Sequence, residues 1–394
     1  MVRAMSPFRQ SNAGRSSTEA DPEPRLTVLS WPYRRRGVTN PYTRRLGEAL
    51  SDQGLCVREF SAWALLTGRV DVWHMHWPEG TLRSPSRLLG LLRLTQFMLL
   101  VAVARLRNVA CVWTMHNLES HERAHRDLER RLWRFLIPRL DGIMLLSRAS
   151  RDLLLERHPA AREVPCHVIP HGHYRGSYPD TETRCSARAA YGWTSGERIV
   201  AFVGRVRAYK NVDALITAFR AMPDPDLRLV VAGDADDPDV GRRLRQAAAD
   251  DARVRLDLGF VPDDAIQRPL RAADLAVLPY RDVLNSGSAI LALSFDCPVL
   301  VPERGAMGEL RERVGAPWVQ CYTGALTPET LRDALDQAAR RPEGAPDLSA
   351  FEWSAIGRQL ASFYRAIHCR AIHRRNDAAQ RESRARPIEP NHEL

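Results

Sequence analysis

Short aliphatic runs alternate with amphipathic stretches along nearly the whole chain, and this alternation restricts the fold more than any other feature. In the first half the strand-like runs read "LTVLS", "LCVREF", "DVWHMHW", "ACVWTMH" and "GIMLLS". In the second half they read "RIVAFVG", "LRLVVAG", "VRLDLGF", "LAVLPY", "PVLVPE" and "PWVQCY". Helix signals separate most of them; one segment has Asn40 as N-cap, Pro41 at the first helical position and Gly54 as its stop. Two consecutive strand–helix series predict an α/β protein with two doubly wound parallel sheets. A length of 394 residues suits two such domains. The expected division is a disordered leader over 1–24, an N-terminal Rossmann-like domain over 25–171 and a turn-rich linker over 172–196. A second Rossmann-like domain follows over 197–345, then a helix over 346–369 and a disordered tail over 370–394.

Composition narrows the setting. With 26% charged and 44% hydrophobic residues the chain reads as a soluble globular protein. A net charge of +10 calls for a polyanionic neighbour: nucleic acid, an anionic membrane surface or a phosphorylated substrate. Nucleic acid is the weakest of the three, because no basic recognition helix with interleaved aromatics is present. Seven scattered cysteines, none in a C-x-x-C pair, argue against a zinc site or disulfide framework and for a reducing cytoplasm. The first 24 residues lack the apolar run of a secretion signal. Residues 81–109 carry five arginines and no acid around an apolar run broken by Arg93. This segment is too short and interrupted for a membrane span, and reads either as a cationic helix on an anionic bilayer or as a buried helix of the first sheet.

Ligands of open α/β sheets bind at the carboxyl ends of the strands, so the polar residues there carry the chemistry. "GRVRAYKN" follows a strand and opens a helix, and its Lys210 is the only lysine among 57 Lys and Arg residues. Gly204 permits close approach of a ligand, while Arg205 and Lys210 reach an anion near a helix N-terminus. The fork of arginine and the point charge of lysine suit different oxygens of a pyrophosphate. The alternative is a solvated basic turn. In "YRDVLNSGSAILAL", Asn285 or Ser286 can cap the next helix, and Gly287 and Ser288 leave backbone N–H groups open to a second phosphate contact. In the first half, "DVWHMHWPEG" and "CVWTMHNLESHERAH" place His74, His76, Glu79, His116, Glu119, His121 and Glu122 near one rim. Their spacing fits no zinc pattern. Singly each histidine reads as a structural residue; together they read as an active-site wall.

The G-R-x-x-x-x-K loop on the second of two such domains resembles the GT-B glycosyltransferases. The segments "TNPYTRRLGEAL", "DVWHMHWPE", "TMHNLESHE", "IPHGHY", "RAYKNV", "LPYRDVLNSG" and "LALSFDCPVLVP" are similar, in the same order, to the family 94 bacterial mannosyltransferases of exopolysaccharide assembly. That resemblance implies transfer of mannose from GDP-mannose to a lipid-linked saccharide, with inversion and without a cofactor or metal, by an enzyme peripheral to the cytoplasmic face of the membrane. It places Gly204, Arg205, Lys210, Phe260, Asn285, Ser286, Gly287 and Ser288 around the donor. Asn40, Tyr42, His76, His121, His171 and His173 then face the acceptor or the cleft. Glu122 is the first choice for the catalytic base and Glu79 the second, with His116 hydrogen-bonded to the donor sugar or phosphate. Retaining GT-B enzymes with the same loop carry a spaced pair of glutamates after the strand "LAVLPY". None occurs in "DVLNSGSAILALSFDCP". Two other readings stay open: a same-fold enzyme for a soluble natural product with another sugar nucleotide, and a non-catalytic sugar-nucleotide binder.

Overall fold

A computed structural model describes residues 25–33, 41–84, 86–117, 125–235, 237–340 and 343–385, the last thirteen of them as backbone. The first sheet contains β1 (Thr27–Trp31), β2 (Cys56–Glu59), β3 (Val72–Met75), β4 (Ala110–Met115), β5 (Gly142–Leu145) and β6 (Cys166–Val168). Its order is β2-β1-β3-β4-β5-β6 and every pairing is parallel. The second contains β7 (Arg198–Val203), β8 (Leu227–Gly233), β9 (Val254–Leu258), β10 (Leu275–Val277), β11 (Val299–Pro302) and β12 (Val319–Tyr322). They lie in the order β12-β11-β10-β7-β8-β9, again all parallel. The doubly wound architecture therefore stands. Its one unforeseen strand, β6, is a three-residue edge strand between Pro165 and Pro170.

The connecting helices of the first domain are α1 (Tyr42–Ser51), α2 (Ala62–Thr67), α3 (Arg87–Leu106), α4 (Arg126–Leu136) and α5 (Arg148–Arg157). Those of the second are α6 (Arg184–Ala190), α7 (Val212–Arg220), α8 (Pro238–Ala248), α9 (Gln267–Ala272), α10 (Gly287–Ser294), α11 (Met307–Val314) and α12 (Pro328–Ala339). α13 (Trp353–Ala385) closes the chain. α1 starts at Tyr42 with Pro41 as its cap, one place later than expected, because the Pro41 carbonyl already accepts the first helical bond, from Arg45 N at 2.9 Å. Asn40 lies outside the described residues.

Three other expectations need correction. The stretch 172–196 is not a plain linker: α6 forms within it, closed by a Thr183–Ser186 capping box. Its Arg188 is buried and donates to the carbonyls of Ala272, Ser195 and Glu197 and to the Asp274 carboxylate. The final helix begins at Trp353, not near 346, and continues through the tail expected to be disordered as far as Ala385. Alanine, arginine, glutamine and glutamate in "AIHRRNDAAQRESRA" are strong helix formers, which accounts for the extension. Finally, α13 returns to the first domain. Ile356, Leu360, Phe363, Tyr364 and Ile367 pack with Val28, Leu46, Leu50, Val72, Val112 and Met144 on one face of the first sheet. The chain thus crosses between domains twice, and the crossings are bonded to each other: His173 N donates to Phe351 O at 3.0 Å and Trp353 Nε1 to His173 O at 2.7 Å.

α3 has one buried and one exposed apolar face. Gly90, Leu94, Phe97, Val101 and Ala104 face the core, whereas Leu88, Leu92, Leu99 and Leu106 are between 59% and 83% exposed. By length and composition the helix could cross a bilayer, yet its buried stripe belongs to the domain core.

Candidate active site

Each sheet reverses its winding once: between β1 and β3 in the first domain, and between β7 and β10 in the second. Crevices open outside the strand ends at such points, and the polar residues singled out above gather there.

In the second domain Gly204 leaves β7 with φ +134 and Gly233 leaves β8 with φ +150, both in the region that favours glycine. A Cβ on Gly233 would stand 2.0 Å from Gly204 O, so only glycine lets these loops meet. A Cβ on Gly204 would stand 2.9 Å from Ser288 Oγ and 3.9 Å from Lys210 Nζ. Gly204, Lys210 and Ser288 therefore enclose one space, beside exposed Arg205. Lys210 is only 9% exposed; its Nζ donates to Tyr280 Oη at 2.9 Å and lies 4.4 Å from the centre of that ring. Ser286, rather than Asn285, caps α10 by accepting from Ala289 N at 3.1 Å. Asn285 points instead across the cleft, donating to His116 O at 3.4 Å and accepting from Ser150 Oγ at 3.3 Å. Phe260 is 68% exposed on the loop after the edge strand β9, two strands from β7, while its neighbour Gly259 bonds back to Gly233 O.

In the first domain His76 and His116 follow β3 and β4. His76 Nδ1 lies 3.2 Å from His116 Nε2, and His76 Nε2 lies 3.5 Å from Ser30 Oγ of β1. His74 is held on both nitrogens, by Thr114 Oγ1 and by Tyr364 Oη of α13, each at 2.6 Å. Tyr42 presents its ring to His76, His116 and His171, and Trp77 stacks on His116 with ring centres 4.3 Å apart. Burial drives His74 down to about 3 and His171 to about 4. The same burial holds His76 and His116 well below the ordinary range, reinforced by neighbouring imidazoles. All four rings are thus neutral at physiological pH: a wall of hydrogen-bonding groups without charge. Among the described residues no group of three His, Cys, Asp or Glu is arranged to hold a metal ion.

The remaining expected residues separate. His171 reaches the cleft: a Cβ on Gly287, at the start of α10, would stand 3.5 Å from its Nε2. His173 does not; it pairs with Glu352 at 3.1 Å and belongs to the double crossing. Glu79 is buried in the turn Pro78–Leu82, and burial pushes its carboxyl up to about 8, so it holds a proton at neutral pH and is poorly suited to act as a base. Glu122 and His121 lie outside the described residues. Ser30, Trp77, Tyr174 and Tyr280 were not foreseen. A polar residue at the C-terminal end of an aliphatic run, as in "LTVLS" and "LAVLPY", was the available signal for two of them.

The domains also meet directly. Glu309 of α11 accepts from Arg148 N and Ala149 N at the start of α5, at 3.1 and 2.8 Å. A pocket between them is lined by Ser147 and His171 on one side and by Asn285, Ser286 and Ile290 on the other.

Two sheets facing across a cleft, with a glycine-turned loop bearing Arg205 and Lys210 at one switch point and a polar wall at the other, define a GT-B glycosyltransferase. Residues 184–338 match the family described as glycosyl transferases group 1. Over 86% of the chain and 92% of the relative, the sequence is 35% identical to the GDP-mannose:glycolipid 4-beta-D-mannosyltransferase of Xanthomonas campestris pv. campestris. The chain belongs to this glycosyltransferase family and is an enzyme of that class. Solved structures agree on the fold. Sucrose-phosphate synthase from Thermosynechococcus elongatus superposes with a TM-score of 0.63 at 20% identity, covering 88% of this chain and 99% of that one. Anabaena HepE, solved with UDP-glucose, gives 0.60 at 16% identity, covering 89% and 100%.

Proposed function

We propose that the protein transfers mannose from GDP-mannose, with inversion, to a lipid-linked saccharide at the cytoplasmic face of an anionic membrane, in polysaccharide or glycolipid assembly. The similarity along 86% of the chain to an enzyme named for this donor and a glycolipid acceptor carries the reading. The donor diphosphate would lie against Gly204, Arg205, Lys210 and the start of α10, with Ser286 holding that helix end and Gly287 and Ser288 offering N–H groups. These donors meet negative charge as it builds on the departing nucleoside diphosphate, where preorganised hydrogen bonds lower the barrier most. No cofactor is required beyond the sugar nucleotide, which is a substrate. Inversion is supported by the absence of any glutamate between Arg281 and Pro302: an inverting enzyme needs only one displacement, with a base on the acceptor side.

α3 supports the membrane reading. The adjoining α2 also exposes Trp63 and Leu66, at 74% and 48%, and Arg87 at the start of α3 is exposed while paired with Asp127. An apolar face rimmed by arginine suits the boundary between acyl chains and anionic headgroups. Incubation with a panel of sugar nucleotides and a polyprenyl-diphosphate-linked oligosaccharide should give one mannosylated product, from GDP-mannose, with a β anomeric centre by NMR. An α-linked product overturns inversion, and turnover only with a uridine donor overturns the donor assignment.

A further inference from the structure

A chain of hydrogen bonds running inward from the cleft points to the nitrogen of His116 that carries the proton. Ser30 Oγ lies 3.3 Å from Pro32 O and 3.5 Å from His76 Nε2. With the Ser30 hydroxyl donating to Pro32 O, its oxygen is left to accept from His76 Nε2–H. His76 then has a bare Nδ1, and across the 3.2 Å contact His116 must donate from Nε2. A neutral imidazole carries one proton, which leaves His116 Nδ1 as a lone pair. His76 is 1% exposed, whereas His116 is a half-buried residue at the end of β4, where its carbonyl already meets Asn285 of the other domain. The inner, buried members of the chain set the tautomer, and the outer one meets the cleft.

The geometry points to His116 as the catalytic base of the inverting transfer proposed above, with His76 and Ser30 as the positioning residues that keep its Nδ1 unprotonated. In the step, the Nδ1 lone pair takes the acceptor hydroxyl proton while that oxygen bonds to the anomeric carbon. The bond from the anomeric carbon to the diphosphate oxygen breaks, and its electron pair leaves with the nucleoside diphosphate. The imidazolium then releases its Nδ1 proton to water. Trp77 and Tyr42 fix the ring plane, Trp77 by stacking and Tyr42 edge-on at 5.1 Å. The titratable groups facing the pair among the described residues are His74 from β3, Tyr42 from α1, His171 from the crossing segment and, through His74, Tyr364 from α13. None of them adds a negative charge that would keep His116 protonated, so the ring is neutral and its lone pair free at neutral pH.

Two measurements on the full-length protein test this independently. Nitrogen-15 NMR of the imidazoles, with His116→Asn to assign the signal, should show His116 protonated at Nε2 only. A proton on Nδ1 overturns the proposal whatever the substrate proves to be. In steady-state kinetics, His116→Asn keeps an acceptor atom at the δ position that cannot take a proton. Its kcat should fall by on the order of a hundred-fold or more at near-unchanged donor KM, and the acid limb of the pH–rate profile should disappear. Ser30→Ala should lose roughly five- to ten-fold in kcat and release the tautomer, and Ser30→Thr should restore both. Wild-type kcat with an intact acid limb in His116→Asn, or an unchanged tautomer in Ser30→Ala, overturns it. Should the wild-type protein turn over no GDP-mannose, the functional reading fails while the NMR result still decides the tautomer.

Discussion

Lys210 shows how one side chain can be held by shape as well as by charge. Its ammonium is enclosed by Tyr280, Gly204 and Ser288, with the Tyr280 hydroxyl at 2.9 Å and the ring face at 4.4 Å. A compact, rotatable ammonium fits such an enclosure, whereas a planar guanidinium would have to displace one of these walls. Lys210→Ala should lower kcat by about a hundred- to a thousand-fold with little change in melting temperature, and Lys210→Arg should not restore it; a wild-type rate in either variant removes the phosphate role. Glu79 makes a different prediction. Its carboxyl is raised in the folded protein from an ordinary 4.5 to about 8. The folded state therefore holds a proton that the unfolded chain has lost between those values, and stability contributed by the neutral carboxyl falls as pH rises through the interval. In Glu79→Gln the melting temperature should decline less between pH 5 and pH 8 than in the wild type; parallel curves would contradict the raised value. At this scale the sequence disclosed residues that are neighbours along the chain. Lys210, Ser286 and His116 were visible because strand-end motifs mark them. Ser30 and Tyr280 also end aliphatic runs, but only parallel register brings them to their partners, and only a returning helix brings Tyr364 to His74.

Among the elements, α3 is the clearest case of one helix serving two solvents. Leu94, Phe97 and Val101 complete the core of the first domain, and the opposite side leaves Leu88, Leu92 and Leu99 in water. Exposure of that much apolar area has a cost for a soluble molecule, which a bilayer would remove. Replacing Leu92 and Leu99 by glutamine should reduce flotation with anionic vesicles by roughly ten-fold per leucine without lowering the melting temperature. Equal flotation of variant and wild type would exclude this face as the contact. The period of α3 could be read in advance, but not which stripe the sheet would cover. α6 was hidden for another reason: "TRCSARAAYG" sits among prolines, glycines and serines, and its stability comes from Arg188 bonding across sequence distance to Ala272 and Asp274.

For the molecule as a whole, polar groups among the described residues bridge the cleft. Glu309 caps α5 of the opposite domain, Arg148 returns the contact to Glu312 at 2.9 Å, and Asn285 joins His116 and Ser150. A carboxylate at a helix N-terminus contributes about 1 kcal/mol, enough to shift a two-state opening roughly five-fold. Glu309→Gln should therefore raise the radius of gyration in solution scattering without donor, and saturating GDP-mannose should return it toward the wild-type value. An unchanged radius in both conditions would show that the contact does not hold the domains together. The two-domain plan was legible from strand spacing alone. The double crossing was not, because nothing local in "FEWSAIGRQLASFYRAIHCR" tells which sheet the helix will cover. That crossing has a consequence for the order in which the protein is made. Val28, Leu46, Val72 and Val112 are translated early, yet the helix that covers them follows the second domain in the chain. The first domain must wait on the ribosome with one apolar face bare while about two hundred further residues emerge, on the order of ten to forty seconds at ordinary translation rates. A chain stopped before Trp353 would never cover that face, and chaperone capture or aggregation is its expected fate.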